Sequence, residues 1–151
     1  MKPLIIGQAP ARGNDGKPPF SGRSGARLAQ LAGVGDTGDV LPQHFDLKNL
    51  IPSYPGRNGK GDNFDMVIAK ANTTLFIAQL EQGEPRKILM MGRKVRRAMG
   101  RNGDWDYLSW FKFYKHDAVV FPHPSGVNRW WNDPVNERQA RFFLRELLRR
   151  G

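Results

Sequence analysis

The chain contains no cysteine among its 151 residues. That excludes disulfides, thiolate zinc sites, cysteine nucleophiles and cysteine-ligated iron–sulfur clusters. Histidine is scarce as well. His44, His116 and His123 lie far apart in sequence, with no pair at helical i, i+4 spacing. No metal site and no cofactor are expected from such a set. Long apolar runs are missing too, and none approaches the roughly 20 residues of a membrane span. Residue 2 already opens a strand-like segment, so no signal peptide is expected and a cytoplasmic location is the default. Negative charge is also in short supply. Fourteen acidic residues face 24 Lys and Arg, a net charge of +10.

Such an excess of cations suits a polyanionic partner, and equally serves plain solubility. Apolar residues make up 39% of the chain, enough for one soluble domain spanning 1–151 with its own core. A monomer is expected. Short β-branched or apolar runs at Lys2–Ile6, Lys87–Met91 and Asp117–Phe121 read as strands, and 45–51 as a further extended segment. Ser24 is a candidate cap for a short helix ending at Gly33. Asp62 or Asn63 is expected to cap a long helix whose apolar face holds Phe64, Val67, Ile68, Ala71, Leu75 and Ala78. Arg93, Lys94, Arg96 and Arg97 follow on a short basic helix and are expected to add to a positive face. The segment 105–114 is ambiguous. Asn132-Asp-Pro134 opens a C-terminal helix with its apolar stripe at Ala140, Phe143, Leu144, Leu147 and Leu148. Strands alternating with helices predict an α/β fold, a central mostly parallel sheet flanked by helices on both faces.

Three segments carry the chemistry. Leu4-Ile-Ile-Gly-Gln-Ala-Pro10 is a strand running into a tight loop, followed by Pro19-Phe-Ser-Gly-Arg-Ser-Gly25. Lys87-Ile-Leu-Met-Met-Gly92 is a second strand ending in glycine. Phe121-Pro-His-Pro-Ser-Gly-Val-Asn-Arg129 leaves a third strand through two prolines, which no helix or strand can pass. His123, Ser125, Asn128 and Arg129 therefore sit on a rigid loop at a strand end, where open α/β sheets bind ligands. Imidazole offers a donor, an acceptor or a charge near neutral pH, and arginine a phosphate fork. A further loop, Tyr54-Pro-Gly-Arg-Asn-Gly-Lys-Gly61, mixes one ring, two cations and glycines without matching a P-loop.

In this order, the three segments resemble the signature motifs of the uracil-DNA glycosylase superfamily, over residues 4 to 129. The resemblance implies a three-layer α/β sandwich in a small, cluster-free member. It also implies a DNA partner, a base flipped out of the stack, and hydrolysis of its N-glycosidic bond. No lysine stands at a nucleophile position, so a monofunctional glycosylase is expected.

The family pattern assigns a task to each position. Phe20 is the stacking platform for the flipped base, its alternative being an ordinary core ring. Asn49 reads the base edge, since an amide offers both donor and acceptor, or else holds a turn. Gln8, in the Gly-x-x-Pro turn, joins them as a base contact and a second candidate for orienting water. His123 stabilises charge on the departing base, or braces its loop. Many relatives carry a carboxylate in or just after that turn; here Gly7-Gln-Ala-Pro10 has none, and Asn14 or Asp15 is the nearest group for positioning water. Asn-Asp-Gly is equally a turn signal. Val127 occupies the position of an apolar wedge, beside Gly126 and ahead of Arg129. Trp130 and Trp131 extend the stacking or anchor the loop. Ser21, Arg23, Arg57, Lys60, Ser125, Asn128 and Arg129 are the expected backbone contacts. The missing carboxylate keeps a second reading open, a non-catalytic DNA-binding member of the same fold.

Overall fold

A computed structural model of the chain describes residues 1–10, 13, 16–52, 57–58, 61–62, 65–100, 106–125 and 128–150, with backbone alone at 57–58 and 61–62. Its elements run β1 (Leu4–Gly7), α1 (Arg23–Ala32), a 3-10 turn (Gly38–Gln43), β2 (Asp46–Asn49), β3 (Arg57–Asn58), β4 (Gly61–Asp62) and α2 (Met66–Gln82). Then come β5 (Lys87–Met91), α3 (Arg93–Ala98), β6 (Phe111–Phe113), β7 (His116–Phe121), a second 3-10 turn (Arg129–Asn132) and α4 (Pro134–Arg150).

Five strands form one sheet in the order β2-β1-β5-β7-β6. The first four are parallel, and β6 joins the edge antiparallel to β7. Side chains alternate between its faces, as a strand requires. Ile5, Leu89, Met91, Val119 and Phe121 pack with Leu28, Leu31, Leu144 and Leu147 under α1 and α4. Leu4, Ile6, Ile88, Met90 and Ala118 pack with Ala69, Phe76, Leu80, Val95 and Ala98 under α2 and α3. The result is a three-layer α/β sandwich. All four parallel strands are short, and β1, β5 and the second part of β7, from Ala118 to Phe121, are almost wholly apolar because both faces are covered.

The topology marks one place on this sheet. From β1 the chain crosses to β2 on one side, then returns past β1 to β5 and goes on to β7 on the other. The strand order therefore reverses between β1 and β5. At such a switch point the loops leaving the two strands diverge and open a crevice beyond their carboxyl ends.

Several local expectations need correction. The α1 helix begins after Gly22, which caps it without a side-chain bond, so Ser24 lies inside the helix. Asp65, not Asp62 or Asn63, caps α2, its carboxylate accepting from the amides of Val67 and Ile68 at 2.9 and 3.2 Å. The buried face of α2 is Ala69, Thr73, Phe76 and Leu80. Val67 and Leu75, expected in the core, stand 78% and 71% exposed. Arg96, expected on the positive face, is buried, with its guanidinium 4.8 Å from the Phe111 ring and bonded to the Gly100 carbonyl. The ambiguous aromatic segment supplies β6. Among the described residues no helix is long and apolar enough to cross a membrane.

Candidate active site

Four strand ends border this switch point. Gly7 ends β1 and Asn49 ends β2, and the two are register partners. Beyond them the pairing continues, with Leu50 N–H donating to Gly7 O at 3.0 Å and Ile51 N–H to Gln8 O at 2.9 Å. This fixes the Asn49 side chain beside Gly7. A Cβ on Gly7 would lie 2.6 Å from Asn49 Oδ1 and 2.7 Å from Phe20 Cζ. The missing side chain is thus what lets an amide and an aromatic ring meet over the end of β1.

Phe20 reaches this point from the loop before α1. Its φ of 61° is left-handed, a conformation costly for a bulky residue. Its carbonyl is wedged between two glycines. A Cβ on Gly25 would lie 1.7 Å from Phe20 O, and one on Gly38 would lie 2.0 Å from it. Any side chain at either position would push the loop away, and the ring with it. The Phe20 ring also packs against the α1/α4 side of the core.

On the other flank, Gly92 follows β5 with φ 94°. Its amide donates to Phe121 O at 2.9 Å, tying the end of β5 to the end of β7. A Cβ there would sit 3.4 Å from His123 Cβ and 3.7 Å from Gln8 Nε2. Gln8 and His123 therefore face each other across Gly92. His123 is fixed by its own loop. Its Nδ1 accepts the Ser125 amide at 3.1 Å. Its carbonyl accepts Trp131 Nε1–H at 2.8 Å and Asn128 Nδ2–H at 3.4 Å. Because Nδ1 is an acceptor, a neutral imidazole carries its proton on Nε2.

Asn49 and Phe20 thus meet at Gly7, and Gln8 and His123 at Gly92, at the carboxyl ends of the adjacent strands β1 and β5. The expected backbone contacts are more dispersed. Ser21 donates its hydroxyl to the Pro18 carbonyl, and Arg23 is exposed at the start of α1. Arg23 shares a groove between α1 and α4 with Arg27 and Arg141. Asn128 caps the second 3-10 turn, its Oδ1 accepting the Trp130 amide at 3.1 Å. Arg129 is exposed on that turn. Trp131 is buried, with the Arg27 guanidinium 4.6 Å above its ring. Arg57 lies on β3. Asn14, Asp15, Lys60, Gly126 and Val127 lie outside the described residues.

The sequence reading missed Gly25, Gly38 and Gly92 as supports. Gly25 and Gly92 close two of the motifs, which was the available signal. Among the described residues no cluster of His, Asp or Glu could hold a metal ion.

The layers and the strand order, with its switch point between β1 and β5, define the class of the protein as a three-layer α/β sandwich. The particular family follows from the comparison of sequences. The uracil DNA glycosylase superfamily matches residues 1–148, and the chain belongs to it. No curated protein matches the chain.

Proposed function

We propose that the chain is a monofunctional DNA glycosylase, which flips uracil or a related damaged base from DNA and hydrolyses its N-glycosidic bond. The observation that carries this reading is the meeting of Phe20, Asn49, Gln8 and His123 across Gly7 and Gly92. The Phe20 ring supplies a stacking face for a flipped base. The Asn49 amide reads a pyrimidine edge that presents both a donor and an acceptor. His123 donates from Nε2 to the base oxygen on which negative charge develops as the bond breaks. A neutral imidazole suffices for this, because Ser125 already fixes the tautomer. Water attacks the sugar carbon, oriented by Asn14, Asp15 or Gln8.

The net charge of +10 suits a DNA partner. Ser21, Arg23, Arg57, Lys60, Ser125, Gly126, Asn128 and Arg129 contact its backbone, and Val127 fills the gap left in the stack.

A second reading rests on one observation, the absence of a carboxylate in Gly7-Gln-Ala-Pro10. It keeps the pocket for recognition and drops the chemistry. One assay separates the two. Uracil-containing oligonucleotide is incubated with the protein and treated with alkali. Strand scission is expected. A mobility shift without scission, on uracil and on other damaged bases, favours the second reading.

A further inference from the structure

The helices α1 and α4 pack on the same face of the sheet, and each starts close to its carboxyl edge. Arg23 opens α1 three residues after Phe20, whose ring lies at Gly7 on the end of β1. Trp131, just ahead of α4, donates from Nε1 to His123 O at 2.8 Å. A groove of about 350 Å³ lies between the two helices, lined by Arg23, Arg27 and Arg141, with Ala26 among them.

The charges in this groove do not balance. Three guanidinium groups meet one acid, Glu137, and that acid is paired with Arg141 at 3.1 Å. Arg23 and Arg27 stand at i, i+4 on α1, where like charges repel. Both lie towards the positive end of the helix, and its first turn holds no acid. Among the described residues no carboxylate forms an ion pair with either of them. An anion set between the arginines relieves a repulsion that the free chain carries.

Two of the three arginines are also held in place. The Arg27 guanidinium lies 4.6 Å above the Trp131 ring. Arg141 bridges the two helices, donating to Glu137 Oε1 at 3.1 Å and to the Gln30 carbonyl at 3.4 Å. Groups fixed beforehand lose little freedom on binding. Their planar forks suit the paired oxygens of a phosphate. Trp131 joins this groove to the His123 loop, since one indole serves both Arg27 and His123 O. A phosphate held in the groove therefore lies alongside the loop proposed to receive the flipped base.

We infer that the groove between α1 and α4 is a phosphate site, which grips one backbone phosphate of the DNA strand carrying the flipped base. It adds Arg27 and Arg141 to the DNA-binding surface and makes Arg23 part of a defined site. The inference rests on DNA as the partner and not on base cleavage.

Uracil-containing duplexes, each with one uncharged methylphosphonate linkage at successive positions of the uracil strand, test it. Affinity is measured for wild type, Arg23→Gln and Arg141→Gln, with melting curves to verify folding. Wild type is expected to lose about tenfold in affinity at each linkage it grips, the scale of a charged hydrogen bond. Each variant should bind the unmodified duplex about tenfold more weakly, and should be insensitive to methylphosphonate at one and the same linkage. Its losses at the other linkages should match those of the wild type. Folded variants that keep the full wild-type loss at every linkage overturn the site, even if the protein releases uracil. The expected pattern in a protein that releases no base supports the site and counts against the glycosylase reading alone. Absence of any DNA binding overturns both.

Discussion

Phe20 and His123 reach the carboxyl ends of β1 and β5 from loops held by opposite means. The His123 loop is held by donors: the Ser125 amide on Nδ1, and Trp131 and Asn128 on the carbonyl. The Phe20 loop is held by the absence of side chains, its carbonyl lying where Gly25 and Gly38 have no Cβ and its ring where Gly7 has none. Hydrogen-bonded loops lose stability in steps, one donor at a time. A clearance-held loop tolerates nothing, because backbone cannot rotate out of the way as a side chain can. The two loops should therefore fail differently.

The largest effect is expected at the clearance-held loop. Gly25→Ala brings a methyl against the Phe20 carbonyl and should cost about 3 kcal/mol in denaturant unfolding, at the upper end for overpacking. Gly38→Ala should follow it. By contrast Gly7→Ala meets only the tips of Asn49 and Phe20, so it should displace both while costing far less stability. If Gly25→Ala melts like the wild type, the Phe20 loop is not held by clearance.

Smaller by design is Trp131→Phe, which keeps a ring under Arg27 and removes one donor to His123 O. About 1 kcal/mol of stability should be lost, the scale of one hydrogen bond. Thermal melting measures it, and an unchanged midpoint would show that Asn128 alone suffices.

Next comes the left-handed backbone of Phe20. Phe20→Gly removes the ring and the strain together, whereas Phe20→Ala removes the ring and keeps a Cβ at φ 61°. The glycine variant should be the more stable of the two by roughly 0.5–1 kcal/mol. The reverse order would argue against strain at this position.

The smallest effect lies at the opposite end of the sheet, where β7 begins. His116 is buried with Nδ1 accepting the Arg86 amide at 3.1 Å, and burial lowers its pKa below the usual 6.5 despite Glu81. The unfolded chain then binds more protons than the folded one below about pH 6.5, so stability is full above that pH and declines as pH falls through it. His116→Asn should flatten this slope in melts between about pH 7 and pH 5. An equal slope in the variant would move the linkage to other groups.

The legibility of the sequence follows the same division. The strands β1, β5 and β7 are short apolar runs ended by glycine or proline, and the stripe of α4 matches its buried Ala140, Leu144 and Leu147. These features are local, so pattern reading finds them. The motifs hold Gln8, Phe20 and His123, with Asn49 outside them, and the fold sets Asn49 and Phe20 at Gly7 and Gln8 and His123 at Gly92. The facing of α2 was not legible. Apolar residues occupy both of its sides, so periodicity alone could not choose Phe76 and Leu80 over Val67 and Leu75. Nor were Gly25, Gly38 and Gly92 legible as supports, because a glycine's role depends on what approaches it from elsewhere in the chain. The inward turn of Arg96 has the same origin, since the Phe111 ring that receives it comes from a different element.

The central claim is that His123 acts on the leaving base rather than on DNA binding. Single-turnover release of uracil from an oligonucleotide, measured beside DNA affinity for wild type and His123→Ala, tests it most directly. Removing a donor to a developing oxyanion should slow release about 100-fold, with affinity held within about threefold. Release at the wild-type rate in the His123→Ala protein would contradict the claim.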